Sequence, residues 1–495
     1  MSRIIIQNGN MCELDLPLKF AQKLYNEFAI RHPNAFYLRT RQRGMQNWDG
    51  KIHYITKTGQ FKIGLLPKVY DMCIEMGIKP KVVDMRQPLP KVSKVVTNIG
   101  KYKLRPEQEK AVKAVINNKI GNTPFHIGVL DYTVNAGKTL IMSSLYLSYK
   151  KQLKTLLITN DSDWLNQARE EFKQYLPGED ITFVQGKVLN WSNFTIGMVQ
   201  SISRNMRFYQ KELSQIDMVL VDEADQGGSK QYQNVIIRLF NTRIRIGLSG
   251  TIYMSKLAKD RVKNMNLECF FGKVIAEFKL KDSIKKGYST KTVVKMVPGK
   301  PWYGNWESDC ISYKEIYDDS ITLNKYARKM AYARLRWNIN QGRYPALVVC
   351  KHIAHCENLY KFFKKKLGDA YNIAYVHVNT PSKLRQQIMK DFREGKIDIL
   401  VSTTIIARGK NFPKLRYLLN AASMDSQEKS IQFLGRLVRT DKSKKKVYLD
   451  DLHYPGNYLD RHGKHRKQYY QRQELKVILL DKLWKKHPNH SLIKS

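Results

Sequence analysis

No stretch constrains this chain more than residues 125–149. Phe125–Leu130 is an unbroken apolar run that reads as a buried strand, and Leu140, Ile141, Leu145, Leu147 and Tyr149 recur among polar residues as a helix would place them. Between them stands Asp131-Tyr132-Thr133-Val134-Asn135-Ala136-Gly137-Lys138-Thr139. A strand turning through Gly-Lys-Thr into a helix suits a phosphate-binding loop. Free N–H groups of the first turn face the anion, Lys138 adds a full charge, and Thr139 offers a hydroxyl to Mg²⁺. The general pattern places Gly where this chain has Tyr132, so only the Gly137-Lys138-Thr139 end is strict.

A second stretch strengthens that reading. Met218-Val219-Leu220-Val221 ends in Asp222-Glu223-Ala224-Asp225. An apolar strand that delivers two adjacent carboxylates at its C-terminal end puts one on a metal and the next beside an attacking water. Asp222 is the expected Mg²⁺ partner and Glu223 the expected general base. An acidic turn after a core strand is the bland alternative, and its occurrence downstream of a Gly-Lys-Thr turn counts against it.

Strands and helices alternate beyond these motifs. Thr155–Thr159 leads into Asn160-Asp161-Ser162-Asp163 and a helix over 164–175, Phe194–Val199 ends in Gln200-Ser201, and Ile244–Leu248 ends in Ser249-Gly250-Thr251. The pattern predicts a parallel sheet with functional residues at strand C-termini. Upstream, Pro106 opens a helix bearing Gln108, which suits an adenine edge. From about 280 the pattern loosens around Pro298, Pro301 and Gly304, where a linker or insertion is expected, followed by a helix over 311–340. A second alternating unit has strands at 346–350, 374–378, 397–402, 415–421 and 446–450. Its strand-end motifs are Thr403-Thr404, Ala407-Arg408-Gly409 and 432–439. On a helix Gln432, Gly435, Arg436 and Arg439 share one face, so both arginines could reach a γ-phosphate.

The flanks differ in character. Residues 1–95 read as a small α+β domain, with a helix over 18–30 and short strands at 36–38, 52–55 and 61–63. Within it Arg41, Arg43, Trp48 and Lys51 combine guanidinium and ammonium charge with an aromatic ring, which suits phosphate contact and base stacking. Trp48 as a core residue beside a solvated basic turn is an equal reading. Residues 456–495 read as a basic helical extension in which Val477, Leu479, Leu480 and Leu483 dock on the second unit. His462, His465, His487 and His490 lack the carboxylate or cysteine partners of a metal site.

Charge points to the partner. The 86 Lys and Arg against 43 Asp and Glu give a formal net charge of +43, spread along the chain. Nucleic acid is the polyanion that best accounts for it. The six cysteines form no Cys-x-x-Cys pair, as expected of reduced thiols in a cytosol. No apolar run approaches a membrane span, and the N-terminus lacks a signal peptide.

In order, Gln108, Gly137-Lys138-Thr139, Asp222-Glu223-Ala224-Asp225, Ser249-Gly250-Thr251, Arg408-Gly409 and Gln432 to Arg439 resemble the motifs of superfamily 2 helicases. The resemblance implies two RecA-like domains (96–285 and 286–455) with ATP between them. It implies that Gln108 meets adenine and that Asn135, Ala136, Gly137, Lys138, Thr139, Gly409 and Gln432 line the nucleotide. Thr139 and Asp222 would hold Mg²⁺, Glu223 would address water, Ser249 and Thr251 would couple the domains, and Arg436 and Arg439 would act as fingers. Gln200, Thr403, Thr404 and Arg408 would face nucleic acid.

The letters Asp-Glu-Ala-Asp suggest DEAD-box RNA helicases, but that family carries His-Arg before Gly-Arg and a Gly before the last Arg, where this chain has Gln432, Phe433 and Val438. Asn47-Trp48-Asp49-Gly50-Lys51, Ala136-Gly137-Lys138 and Lys351-His352-Ile353-Ala354-His355 are similar to the UvsW-type recombination and repair helicases of T-even or T5-like phages. Tyr132 departs from the pattern, as does Asp225, where His is common. The resemblance implies an enzyme that unwinds forks, Holliday junctions, D-loops or R-loops, with RNA–DNA hybrids a further target; a monomer in the host cytoplasm is the expectation. A duplex translocase without strand separation, an RNA helicase and a basic annealing protein are the alternatives.

Overall fold

The computed structural model describes residues 2–41, 45–186, 188–252, 260–299, 312–407 and 412–480. It divides into two compact units, one of Met1–Tyr132 with Ala136–Phe278, the other of Thr133–Asn135 with Lys279–Ser495. Both contain a RecA-like parallel sheet, the α/β architecture that the alternation predicts.

The first unit centres on an eight-stranded sheet. Its order is 188–189, 181–185, 194–198, 155–159, 218–222, 244–249, 126–132 and 274–278. The hairpin strand Val188–Leu189 runs antiparallel and the other pairings are parallel. His126–Tyr132 and Met218–Asp222 are buried at every position. A parallel sheet covered on both faces requires this, which is why these strands read as continuous apolar runs.

The N-terminal residues add a sheet of order 60–62, 11–15, 3–6 and 81–84. Ile4, Ile6, Phe61 and Val69 belong to the same buried apolar cluster as Val219, Val221 and Phe271. Polar contacts fix the junction. The fully buried Arg245 donates to the Gly9 carbonyl (2.6 Å) and to Asn10 Oδ1 (2.8 Å), and Asn10 Nδ2 donates to the Ile237 carbonyl (3.0 Å). Gly9 suits this close approach, because a Cβ there would lie 2.6 Å from the Leu239 carbonyl oxygen.

One expected strand is a helix. Ala35–Arg41 is helical, with Ala35 N–H donating to the His32 carbonyl (3.0 Å) and Leu38 N–H to the Asn34 carbonyl (3.0 Å). Pro33-Asn34 starts the turn and Ala35 and Leu38 face inward, so Phe36-Tyr37-Leu38 carried an i, i+3 signal that the aromatic run masked.

The second unit has a seven-stranded parallel sheet of order 373–376, 399–403, 346–350, 417–420, 446–453, 291–298 and 477–479. Three expectations need correction. The expected linker near 298 contains the strand Lys291–Pro298, whose Thr292, Val294 and Met296 alternate inward. Prolines further on obscured that period of two. The expected helix over 311–340 is broken into Tyr313–Tyr317, a π-turn at Asp318–Thr322 and Lys325–Ile339. Asn324 restarts it, its side chain accepting from Tyr326 N–H (2.8 Å) and Ala327 N–H (3.2 Å). Finally, Val477–Leu479 is a strand paired with Val294–Met296, so this segment docks by backbone hydrogen bonds and not as a helix. Leu483 lies outside the described residues.

Two adjacent carboxylates organise this unit's core. Successive residues of a strand point to opposite faces. Asp450 accepts from Arg334 Nε (2.8 Å), Asn338 Nδ2 (3.1 Å) and Tyr417 Oη (3.1 Å). Asp451 accepts from Arg466 Nε and Nη2 (2.9 and 2.8 Å to Oδ1), Tyr470 Oη (2.7 Å) and Asn420 Nδ2 (2.8 Å). Arg466 is therefore a buried anchor of the helix Asn457–Arg472 and not part of an outward basic face.

His355 is a third buried polar group, its Nδ1 3.1 Å from Tyr317 Oη. Burial, with the charge of His352 second, pushes it down to about 3. Between that value and the ordinary 6.5, the unfolded chain binds a proton that the folded chain refuses, so stability falls as pH falls. Near pH 5 the loss should be about 2 kcal/mol from this residue. Thermal melting at neutral pH and near pH 5 should show it, and His355→Gln should flatten the dependence.

Candidate nucleotide site

The phosphate-loop sequence lies where the strand His126–Tyr132 passes into the helix Lys138–Ser148. Gly137 is left-handed (φ 71°) and so is Asn135 (φ 65°). A Cβ on Gly137 would lie near the Gln108 amide and 3.2 Å from Arg105 Nη2, so the turn needs glycine for both conformation and space. Gln108 is fully buried. Its Oε1 accepts from Arg105 N–H (2.8 Å) and its Nε2 donates to the Ala136 carbonyl (2.8 Å). Both ends of the amide expected at adenine thus brace the loop.

Tyr132 accounts for the missing glycine. It is still in the strand, fully buried, with its hydroxyl donating to the Glu107 carbonyl (2.8 Å), and the loop begins only at Thr133. The Thr133 hydroxyl oxygen is buried and has no hydrogen-bond partner among the described residues.

The carboxylates come from the strand Met218–Asp222, two places along the sheet from His126–Tyr132. Asp222 is buried. Burial raises its carboxyl above the ordinary range while the Lys138 charge opposes the shift, placing the two side chains within electrostatic reach. Glu223 follows in the left-handed region at φ 53°, a strained conformation for a non-glycine residue. Burial and the neighbouring charges of Asp222, Asp225 and Asp161 push its carboxyl up to about 8, with Lys138 again opposing. A concentration of negative charge beside a lysine and a backbone anion cradle fits a nucleotide with its divalent cation.

Ser249 and Thr251 join the same site. Ser249 Oγ donates to Asp225 Oδ1 (2.7 Å), lies 3.1 Å from Thr251 Oγ1 and accepts from Thr251 N–H (3.1 Å). The fourth letter of the carboxylate motif is thereby tied to the end of the next strand, Ile244–Ser249.

Asn160 and Asp161 stand at a strand end that the sequence marked without assigning a role, and Gln226 carried no such mark. Gln226 Nε2 donates to Glu223 Oε2 (3.1 Å), Asn160 Nδ2 donates to Gln226 Oε1, and Gln200 Nε2 donates to the Asn160 carbonyl (3.5 Å). Their position after an apolar strand was the available signal. Gln200 thus connects to the carboxylate cluster through two intermediates.

In the second unit, Thr403 ends the strand Ile399–Thr403, and Thr404 Oγ1 accepts from Lys429 Nζ (3.4 Å). The helix Gln427–Leu437 carries Gln432 and a half-buried Arg436. It ends with Val438 as its C-cap, so Arg439 lies past the helix and not on its face. Thr290 N–H donates to the Val438 carbonyl (2.8 Å) and Thr290 Oγ1 to the Arg439 carbonyl (3.1 Å), which fixes that turn. Arg43, Arg408 and Gly409 lie outside the described residues.

Trp48 is half-buried. Its Nε1 donates to the Lys51 carbonyl (2.8 Å) and its ring meets His32 edge-on, with centroids 5.7 Å apart. Arg41 and Lys51 are exposed. His465 Nδ1 lies 2.8 Å from Asp425 Oδ1 and His462 Nε2 3.9 Å from Asp425 Oδ2. No helix among the described residues is long and apolar enough to cross a membrane.

Residues 101–254 match the family "Type III restriction enzyme, res subunit", and residues 330–441 match the "Helicase conserved C-terminal domain". The "ATP-dependent DNA helicase uvsW" of Enterobacteria phage T4 is 21% identical over 474 residues, covering 88% of this chain and 90% of that protein. The "Putative ATP-dependent helicase IRC3" of Saccharomyces cerevisiae is 24% identical over 70% of this chain, which spans only 51% of its length. Among solved structures, the ATP-dependent Type ISP restriction-modification enzyme LlaBIII bound to DNA superposes with a TM-score of 0.57 at 14% identity, covering 83% of this chain and 34% of that one; this shows shared fold. The two family matches together cover more than half of the chain, and each falls on one RecA-like sheet. With the uvsW likeness running along nearly its whole length, the chain belongs to the superfamily 2 ATP-dependent helicases and is similar to the UvsW type.

Proposed function

We propose that this helicase remodels branched DNA, separating or migrating strands at forks and four-way junctions, with ATP hydrolysed at the phosphate loop that opens the helix Lys138–Ser148. The convergence of Lys138, Asp222 and Glu223 on that loop supports the ATP site most directly. Lys138 and the N–H groups that open the helix Lys138–Ser148 bind the nucleotide's phosphates. Thr139 and Asp222 would hold magnesium, which would polarise the phosphoryl oxygens. Glu223 orients water and accepts its proton, helped by the Gln226 amide. Ser249 and Thr251, tied to Asp225, couple the nucleotide site to the end of the neighbouring strand. Gln108 holds the loop in shape and meets adenine only by exchanging one of its two bonds. In the second unit, Thr403, Thr404 and Lys429 meet the DNA backbone.

The uvsW likeness along nearly the whole chain supports a DNA helicase, and the preference for branched DNA is what the resemblance to recombination and repair helicases implies. The match to a restriction-enzyme motor family favours a second reading, a duplex translocase without strand separation. A fluorescent four-way junction and a linear duplex built from related strands distinguish them. ATP and Mg²⁺ should release strands from the junction far faster than from the blunt duplex. Movement on duplex without any strand release would favour the translocase.

A further inference from the structure

The helix Ala35–Arg41 interrupts a hairpin, lying between strands Ala29–Arg31 and Lys51–His53, which pair with each other. Ala35 turns inward, whereas Phe36 is 80% exposed and Tyr37 is 55% exposed. Two adjacent aromatic rings left in water form a small open apolar patch whose burial against a partner would be favourable. The surroundings indicate what covers them. The Arg41 guanidinium lies 4.8 Å from the centre of the Tyr37 ring, and Arg31, Arg39 and Lys51 are exposed nearby in sequence. Residues 29–53 contain five Arg or Lys and a single acid, Asp49. That acid is engaged by His53, whose Nε2 lies 2.7 Å from Asp49 Oδ2. The face therefore pairs open aromatic surface with positive charge, on a chain of net charge +43.

We infer that Phe36 and Tyr37 form a stacking platform for unpaired bases at a DNA branch, with Arg39 and Arg41 on the adjoining phosphates. This assignment rests on the branched-DNA reading and deepens it. Bases inside a duplex hide their faces in the stack, whereas a branch point offers free ones, and an exposed ring flanked by guanidinium groups suits free bases. Trp48, the aromatic singled out in the sequence, is half-buried against His32 and offers less open ring surface than Phe36.

The test uses the full chain and a forked DNA with 2-aminopurine as the first unpaired base, beside a blunt duplex of equal length. The wild type should change the probe's fluorescence. Combined Phe36→Ala and Tyr37→Ala exchange should abolish that change and weaken fork binding about tenfold or more, leaving blunt-duplex binding nearly constant. Phe36→Trp should retain the signal. Since both rings are exposed, the exchanges remove no core packing. A double variant that matches the wild type on the fork would overturn the platform alone, provided the wild type still unwinds junctions. A wild type that neither binds forks nor unwinds junctions would overturn both the platform and the branched-DNA reading.

Discussion

Exchange of Lys138 for Ala or Glu223 for Gln is expected to lower ATP turnover by about 10²- to 10⁴-fold while nucleic-acid affinity stays within about twofold. Lys138 supplies the positive charge that opposes the upward shifts of Asp222 and Glu223, so its removal leaves a carboxylate cluster without that counter-charge. Glu223→Gln works differently. It keeps the side chain's shape and its link to Gln226 but removes the group that accepts a proton. Glu223 is also costly to the fold, being left-handed at φ 53° and pushed up to about 8 by burial and by Asp222, Asp225 and Asp161. Relief of that repulsion should leave the melting temperature of Glu223→Gln equal to or above the wild type. Loss of turnover without loss of stability is the signature of a strained functional residue. Full turnover in either variant would refute the site.

The second large effect concerns stability. Arg466 and Asp451 are both fully buried, and Arg466 also donates to the carbonyls of Met424 (2.9 Å) and Leu452 (3.0 Å). Arg466→Ala leaves Asp451 as a buried charge held only by neutral donors, a defect of about 3–5 kcal/mol. In a domain of this size that corresponds to a melting temperature lower by roughly 6–20 °C. Arg466→Lys should fall between, because an ammonium cannot reproduce the forked contact. The affected contacts also hold Met424, just before the helix that carries Arg436, so turnover should fall with stability. Calorimetry on the full chain that shows no shift for Arg466→Ala would contradict this account of the core.

What was legible in the sequence follows from period and chemistry. The strands 126–132 and 218–222 announced themselves because burial on both faces demands continuous apolar residues. Gly137-Lys138-Thr139 and Asp222-Glu223 fall at strand ends, as the alternation of strands and helices predicts. Three features were not legible. The strand Lys291–Pro298 alternates and adjoins a proline-rich stretch, so it resembled a linker. The strand predicted at 446–450 carried no sign of the buried carboxylate network, because Arg334 lies 116 residues before Asp450 and Arg466 lies 15 residues after Asp451. Arg439 was assigned to a helical face because periodicity cannot see that the helix stops at Leu437. Long-range pairing and helix ends are decided by tertiary contact, which local patterns do not record.

The most direct test of the central claim is the rate of ATP hydrolysis by purified protein with no polynucleotide, single-stranded DNA, duplex DNA, a four-way junction and RNA, read beside unwinding of that junction. A helicase that remodels branched DNA predicts slow basal turnover, strong stimulation by the junction and strand release that requires ATP. Stimulation by RNA alone, or no hydrolysis with any polynucleotide, would contradict it.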